Sequence, residues 1–194
     1  MAKRESSFTN MVLTLVLVTA IAAAALGFVY DLTKGPIEAA KAKAQREAIK
    51  EVLPEFEELG ETAMFAPAEG ADSLAFFPAY KGGQLVGTAV KTYTKNGFSG
   101  LISIMAGFDK DGIITGYSVL EHAETPGLGS KMNTWFNNPE KPKQNVIGKN
   151  PESTNLTVSK DGGDIDAITA STITSRAFLG ALQLAYDSYK KNSK

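Results

Sequence analysis

Hydrophobic and polar positions divide the chain into stretches of different period. Residues 6–30 carry no charge, and residues 11–29 are rich in Leu, Val, Ile and Ala. About 20 apolar residues span a bilayer as a helix. Residues 8–30 therefore read as a transmembrane helix behind a short N-terminus, residues 1–7. The run is longer than the roughly 7–15 apolar residues of a cleaved signal peptide, which favours an uncleaved anchor. Lys34-Gly35-Pro36 marks a break. Ile37, Ala40, Ala44, Ala48 and Val52 then form a helical stripe, and Pro54 ends it. Residues 31–54 read as a stalk helix and residues 55–194 as the domain it leads into. Residues 55–71 form a weakly patterned, acidic connection.

Strand signals follow. Residues 74–80 and 84–93 flank Lys81-Gly82-Gly83, and residues 101–108 and 113–121 flank Asp109-Lys110-Asp111-Gly112, so each pair predicts a hairpin. Val86, Thr88, Val90 and Thr92 alternate with Ala89 and Lys91, the pattern of a sheet with unlike faces. Residues 95–100 are a glycine-rich link, and residues 137–151 a Pro-, Asn- and Lys-rich surface loop. Residues 156–159 and 165–168 predict a third, shorter hairpin around Lys160-Asp161-Gly162-Gly163-Asp164. Phe178, Ala181, Leu182, Ala185 and Tyr189 then mark one face of a last helix. The fold class is α+β: an antiparallel sheet of hairpins flanked by N- and C-terminal helices, preceded by one transmembrane helix.

Composition narrows the chemistry. The 194 residues carry a formal charge of −1, which gives no nucleic-acid signal. The chain has no cysteine, which excludes disulfides, thiolate metal sites, iron–sulfur clusters and thiol nucleophiles. His122 is the single histidine. A multi-histidine metal site is therefore out, and a serine hydrolase would have only His122 as base. No catalytic acid, base or metal ligand is assigned. Redox chemistry here requires an organic cofactor.

Two runs stand out. The first is Glu124-Thr125-Pro126-Gly127-Leu128-Gly129, which follows a strand and turns sharply at Pro126-Gly127. Its glycines let backbone approach a flat ligand closely. An ordinary strand-to-helix loop reads the same way. The second run begins at Asp166 and holds five hydroxyls in seven residues: Thr169, Ser171, Thr172, Thr174 and Ser175, with Ala170 and Ile173 between them. It sits where the last helix starts. A helix N-terminus has unpaired N–H groups and partial positive charge, which suit a phosphate. N-capping is the competing reading, although one cap needs one hydroxyl.

Together these runs resemble the FMN-binding domain family, found in the G subunit of the Rnf electron-transport complex and the C subunit of the sodium-pumping NADH:quinone reductase. Gly97-Phe98-Ser99-Gly100-Leu101-Ile102 and Met105-Ala106-Gly107-Phe108-Asp109 resemble the family's central hairpin. The segment through Thr33-Lys34-Gly35-Pro36-Ile37 resembles its N-terminal end, and the length and single anchor are closer to the Rnf member. The resemblance implies FMN joined through its phosphate to Thr172, the last residue of the pattern Asp-x-x-Ser/Thr-Gly-Ala-Thr. Here the usual Gly-Ala pair is Ala170-Ser171, and Ser171 adds an alternative acceptor. Asp166 is implied in recognition by the flavin transferase, which uses FAD as donor outside the cytoplasm.

On this reading Glu124, Thr125, Pro126, Gly127, Leu128 and Gly129 hold the isoalloxazine ring, with Leu128 packed on it. Glu124 either holds the loop's shape or disfavours the anionic reduced flavin. Thr169, Ala170, Ser171, Ile173, Thr174 and Ser175 surround the phosphate, Thr174 and Ser175 as donors and Arg176 as a charge if it points inward. Trp135 and Phe136 are assigned to core packing, and His122 to a structural or exposed role. The implied function is a one-electron relay in a complex that couples reduced ferredoxin and NAD⁺ to ion movement. The partners are the other Rnf subunits, the flavin transferase and membrane lipid. Lys3 and Arg4 suggest a cytoplasmic N-terminus of a single-pass inner-membrane protein, with the domain on the periplasmic side. Two alternatives stay open: an extracytoplasmic FMN shuttle for another reductase, or a membrane-anchored binding or assembly protein without flavin.

Overall fold

A computed structural model describes residues 7–68 and 71–192. The N-terminal segment with Lys3 and Arg4 lies outside the described residues, apart from Ser7. The chain divides into two units, one ending at Lys43 and one spanning Ala44–Lys194.

The first unit is helical. Helix α1 runs Phe8–Val52 and contains Pro36. It is long and apolar enough to cross a membrane. None of its described residues up to Lys43 is buried, so Leu13, Leu17, Ile21 and Leu26 present their side chains outward. The break predicted at Lys34-Gly35-Pro36 is not a helix end. Proline's φ suits a helix; inside one, Pro36 forgoes the N–H bond to the Leu32 carbonyl and crowds that carbonyl with its ring, a local cost that the helix continues through. Beyond it, Glu38, Ala39, Ala40, Lys41 and Ala42 are good helix formers and carry the helix on past Gly35-Pro36. The Thr33 hydroxyl, meanwhile, donates to the Val29 carbonyl at 2.8 Å.

In the second unit the sheet comprises β1 (Glu58–Leu59), β2 (Ala63–Phe65), β3 (Leu74–Lys81), β4 (Gln84–Gly97), β5 (Gly100–Phe108) and β6 (Ile114–His122). All pairings are antiparallel. The order is β1-β3-β4-β5-β6, with β2 also on β3. The connection read across residues 55–71 thus contains two short strands. Their few residues, half-exposed or exposed, carry too short an alternation to stand out in sequence. Gly82 and Gly83, at φ 57° and 74°, close β3 onto β4 as a two-residue turn of the primed type. The glycine-rich link of residues 95–100 is shorter than expected. β4 continues to Gly97, which pairs with Gly100 across the two-residue turn Phe98-Ser99.

The alternation separates two hydrophobic clusters. On one face Phe77, Ala79, Ala89 and Met105 meet Ala48, Ile49 and Val52 from the end of α1, with Leu53 just beyond. On the other, Phe76, Val90, Ile102, Ile104 and Phe108 meet Phe178, Leu182, Ala185 and Tyr189 of helix α3 (Thr172–Asn192). The Thr92 hydroxyl donates to the Ala181 carbonyl of α3.

Between β6 and α3 lie the short helix α2 (Met132–Trp135) and irregular chain. The third hairpin predicted at residues 156–168 is absent. Only a single parallel bridge joins Val158 and Ile165, around a 3₁₀ turn at Ser159–Asp161. Leu156, Val158, Ile165 and Ile168 are all buried in the α3-side cluster. These apolar residues follow one core surface rather than the two faces of a strand. Trp135 and Phe136 serve packing, as expected: Phe136 stacks on Phe178 at 4.6 Å between centroids.

Candidate functional site

Three segments of the second unit converge at the start of α3. The first is the turn after β6. Its Pro126-Gly127 corner, with Gly127 at φ 77°, is fixed by two bonds to the Thr125 carbonyl, from the N–H groups of Leu128 and Ser130. The Gly127 N–H also donates to Ser130 Oγ at 2.9 Å. The second is the Phe98-Ser99 turn between β4 and β5. The third is residues 169–175.

Glu124 ties all three together. Its side chain is buried. Oε1 accepts the Ser99 N–H at 2.9 Å, and Oε2 accepts the Thr174 hydroxyl at 2.6 Å. Two glycines make room for it. A Cβ at Gly129 would lie 2.5 Å from Glu124 Oε2, and one at Gly97 2.8 Å from Oε1. Of the two sequence readings of Glu124, the geometry supports the first: it holds the loop. His122 assists, its Nδ1 accepting the Glu124 N–H at 3.1 Å.

The hydroxyl run separates into two groups. Thr174 and Ser175 are buried and already engaged. Ser175 Oγ donates to the Ser171 carbonyl and accepts the Ile168 N–H, both at 2.9 Å. These two knit the helix start to the core and are not the free phosphate donors expected from sequence. Thr169, Ser171 and Thr172 form no side-chain hydrogen bond among the described residues. The first intrahelical bond runs from the Ser175 N–H to the Ser171 carbonyl, so the N–H groups of Thr172, Ile173 and Thr174 precede it. Ala170, within the second group between Thr169 and Ser171, has φ 60°. Arg176 is held away from this turn by a bidentate pair with Asp161, at 2.6 and 2.8 Å. The hydrogen bond from Arg176 holds the Asp161 carboxyl below its usual range.

The three segments enclose a cleft of about 340 Å³ lined by Phe98, Glu124, Thr125, Leu128, Gly129 and residues 170–174. Of the residues expected at the site, Pro126, Gly127, Thr169 and Ser175 do not line it: the first two build the corner and Ser175 faces the core. Phe98 lines it unanticipated. The sequence signal was present in Gly97-Phe98-Ser99-Gly100, a large apolar residue at the tip of a glycine-bracketed turn. Asp166 lies outside the lining. Its Oδ1 accepts Ser159 Oγ at 2.5 Å, and its carbonyl accepts Trp135 Nε1 at 3.0 Å.

FMN has a phosphate, a polar chain and a flat ring, and the donor set suits it. Two unpaired hydroxyls and free helix N–H groups stand at one end of the cleft, with Leu128 and Phe98 offering apolar surface. Similarity to known proteins agrees. Residues 97–187 match the FMN-binding domain family, and residues 1–52 match the RnfG N-terminal region. The G subunit of the ion-translocating oxidoreductase complex of Methanosarcina acetivorans is 35% identical over 192 residues, covering 94% of this chain and 95% of the relative. The G subunit of the Na⁺-translocating ferredoxin:NAD⁺ oxidoreductase complex of Acetobacterium woodii is 32% identical over 198 residues, covering 94% and 91%. The corresponding protein of the ion-translocating complex of Aliivibrio fischeri is 33% identical over 190 residues, covering 90% and 87%. Aligned with these relatives over nearly its whole length, the chain belongs to the G-subunit family of ion-translocating oxidoreductase complexes, with that family's FMN-binding domain.

Proposed function

We propose that this chain is a membrane-anchored electron-transfer subunit of an Rnf-type complex, carrying FMN in phosphoester linkage to Thr172. One observation carries the attachment site. The Thr172 hydroxyl has no partner among the described residues, lines the cleft, and sits on the first turn of α3, where the backbone N–H groups are unpaired. In the attachment step Thr172 Oγ1 bonds to the flavin-side phosphorus of FAD on the transferase. The pyrophosphate bond breaks, and AMP leaves with the hydroxyl proton. Ser171 lines the same cleft but is 7% exposed. Thr172 is half-buried and is the more accessible acceptor.

FMN supplies the one-electron chemistry when bound. The chain's residues hold and shield it. N–H groups of Thr172, Ile173 and Thr174 favour the phosphate charge. Leu128 would offer its apolar side chain to the ring, and Glu124 keeps the turn after β6 against α3. Asp166 is assigned to transferase recognition. The phosphoester keeps the cofactor from being lost by dilution outside the cytoplasm. We take the chain to be a single-pass protein of the inner membrane, with Lys3 and Arg4 cytoplasmic and the FMN domain periplasmic; the apolar helix among the described residues supports a membrane anchor. Its electron partners are the other subunits of the complex. No charged residue interrupts residues 6–30, so the chain brings no ion path of its own.

The test is intact mass with peptide mapping on the full chain co-expressed with an active flavin transferase. The expected result is a gain of one FMN less water on the peptide containing Thr172. The gain should be lost in Thr172→Ala and kept in Ser171→Ala. An unmodified chain, with the transferase active on a control domain, would leave a binding or assembly protein without flavin.

A further inference from the structure

Phe98 is unexplained by the fold. It is 68% exposed and belongs to neither hydrophobic cluster. Yet it is firmly placed. The turn that carries it is bracketed by the pair Gly97 and Gly100, with Gly100 at φ 99°. The next residue, Ser99, is anchored through its N–H to the buried Glu124 carboxylate. The same carboxylate holds Thr174, two residues beyond Thr172. The turn that carries the aromatic ring is thus fixed relative to the attachment turn, on a cleft whose other large apolar linings are Leu128 and Ile173. Both are also unusually exposed, at 40% and 49%. Three large apolar side chains left half-open around one concave site need a flat apolar occupant to cover them.

We propose that Phe98 is a flavin-contacting residue, its ring packed against the isoalloxazine system opposite Leu128, with Glu124 as the positioning residue that holds its turn. This rests on the reading that the cleft takes FMN. Aromatic rings pack on flat π-systems in offset or edge-on geometries. Such contact quenches flavin fluorescence and shields the ring from solutes, two readouts independent of electron-transfer activity.

The experiment compares the full chain, flavinylated by co-expressed transferase, with Phe98→Ala and Phe98→Trp, with flavin mass confirmed for each. Phe98→Ala is expected to raise flavin fluorescence severalfold and to increase its quenching by iodide, while the apo-chain melting temperature stays unchanged. Phe98→Trp should restore the quenched, shielded state. Equal fluorescence and iodide accessibility in the parent and Phe98→Ala, with flavin attached in both, would overturn this inference alone. Absence of flavin from the parent chain would overturn it together with the function proposed above.

Discussion

Ala170 is the residue where sequence and backbone disagree most sharply. It is the one described non-glycine residue with positive φ, at 60°. The family pattern places glycine there. Left-handed backbone costs an L-residue about 1–2 kcal/mol, because Cβ crowds the following carbonyl. Glycine avoids that cost and gives back roughly 0.5–1 kcal/mol in unfolded-state entropy. The exposed position offers Ala170 no buried contact to lose. Ala170→Gly should therefore stabilise the domain by about 0.5–1 kcal/mol, read as a higher urea midpoint with an unchanged m-value. A lower midpoint would mean that the left-handed turn costs alanine little in this setting. Ser171, the other departure, costs the fold nothing visible: its carbonyl still accepts both Ser175 donors. The pair thus changes strain and acceptor chemistry while leaving the helix start in place.

Among the elements, the end of α1 approaches the sheet closely enough to require glycine at two positions. Gly107 and Gly116 face each other across β5 and β6. A Cβ on Gly107 would collide with the Val52 carbonyl oxygen, and one on Gly116 would lie 2.8 Å from the Val52 Cα. The Thr115 hydroxyl donates to that same carbonyl. Gly107→Ala meets backbone rather than a yielding side chain, so the helix end must shift. A loss of about 1–3 kcal/mol is expected, the range for overpacking. Chemical denaturation measures it, and an unchanged midpoint would show that α1 is loosely seated.

These contacts also explain what sequence conveyed. The strands β3 to β6 were legible because Val90, Thr92 and their neighbours alternate over long runs, and Gly82-Gly83 signals its own turn. α3 was legible from its apolar stripe. The Leu156 and Ile165 segments were misread because local apolar runs do not distinguish a strand from irregular chain draped on a core. Pro36 was misread as a stop because punctuation rules weigh Gly35-Pro36 locally and not the run of helix formers from Glu38 onward that continues the helix. At the site, the two runs were evident. Which hydroxyls were free was not, because Thr174 is engaged only when folding brings Glu124 to it, and Ser175 when the helix start closes on Ser171 and Ile168.

At the scale of the whole molecule, the boundary between the two units does not coincide with the end of α1. Burial begins at Ala48, inside the helix, and Ala48, Ile49, Val52 and Leu53 complete the cluster over Phe77 and Met105. The last turns of the helix therefore belong to the domain, although one continuous apolar-to-amphipathic helix encodes both roles. Two fragments separate these roles. Residues 44–194 keep both clusters whole and should unfold in one cooperative transition without the apolar segment. Residues 54–194 lack the four buried side chains. Full burial of a Val, Leu or Ile side chain is worth about 1.5–3 kcal/mol, so their loss removes on the order of 5 kcal/mol. Domains of this kind have only about 5–15 kcal/mol in total. The shorter fragment should be largely unfolded or aggregated, with Phe77 and Met105 uncovered, as circular dichroism and sedimentation would report. If it melts at the same temperature as residues 44–194, the helix end is a lead-in to the domain rather than part of its core.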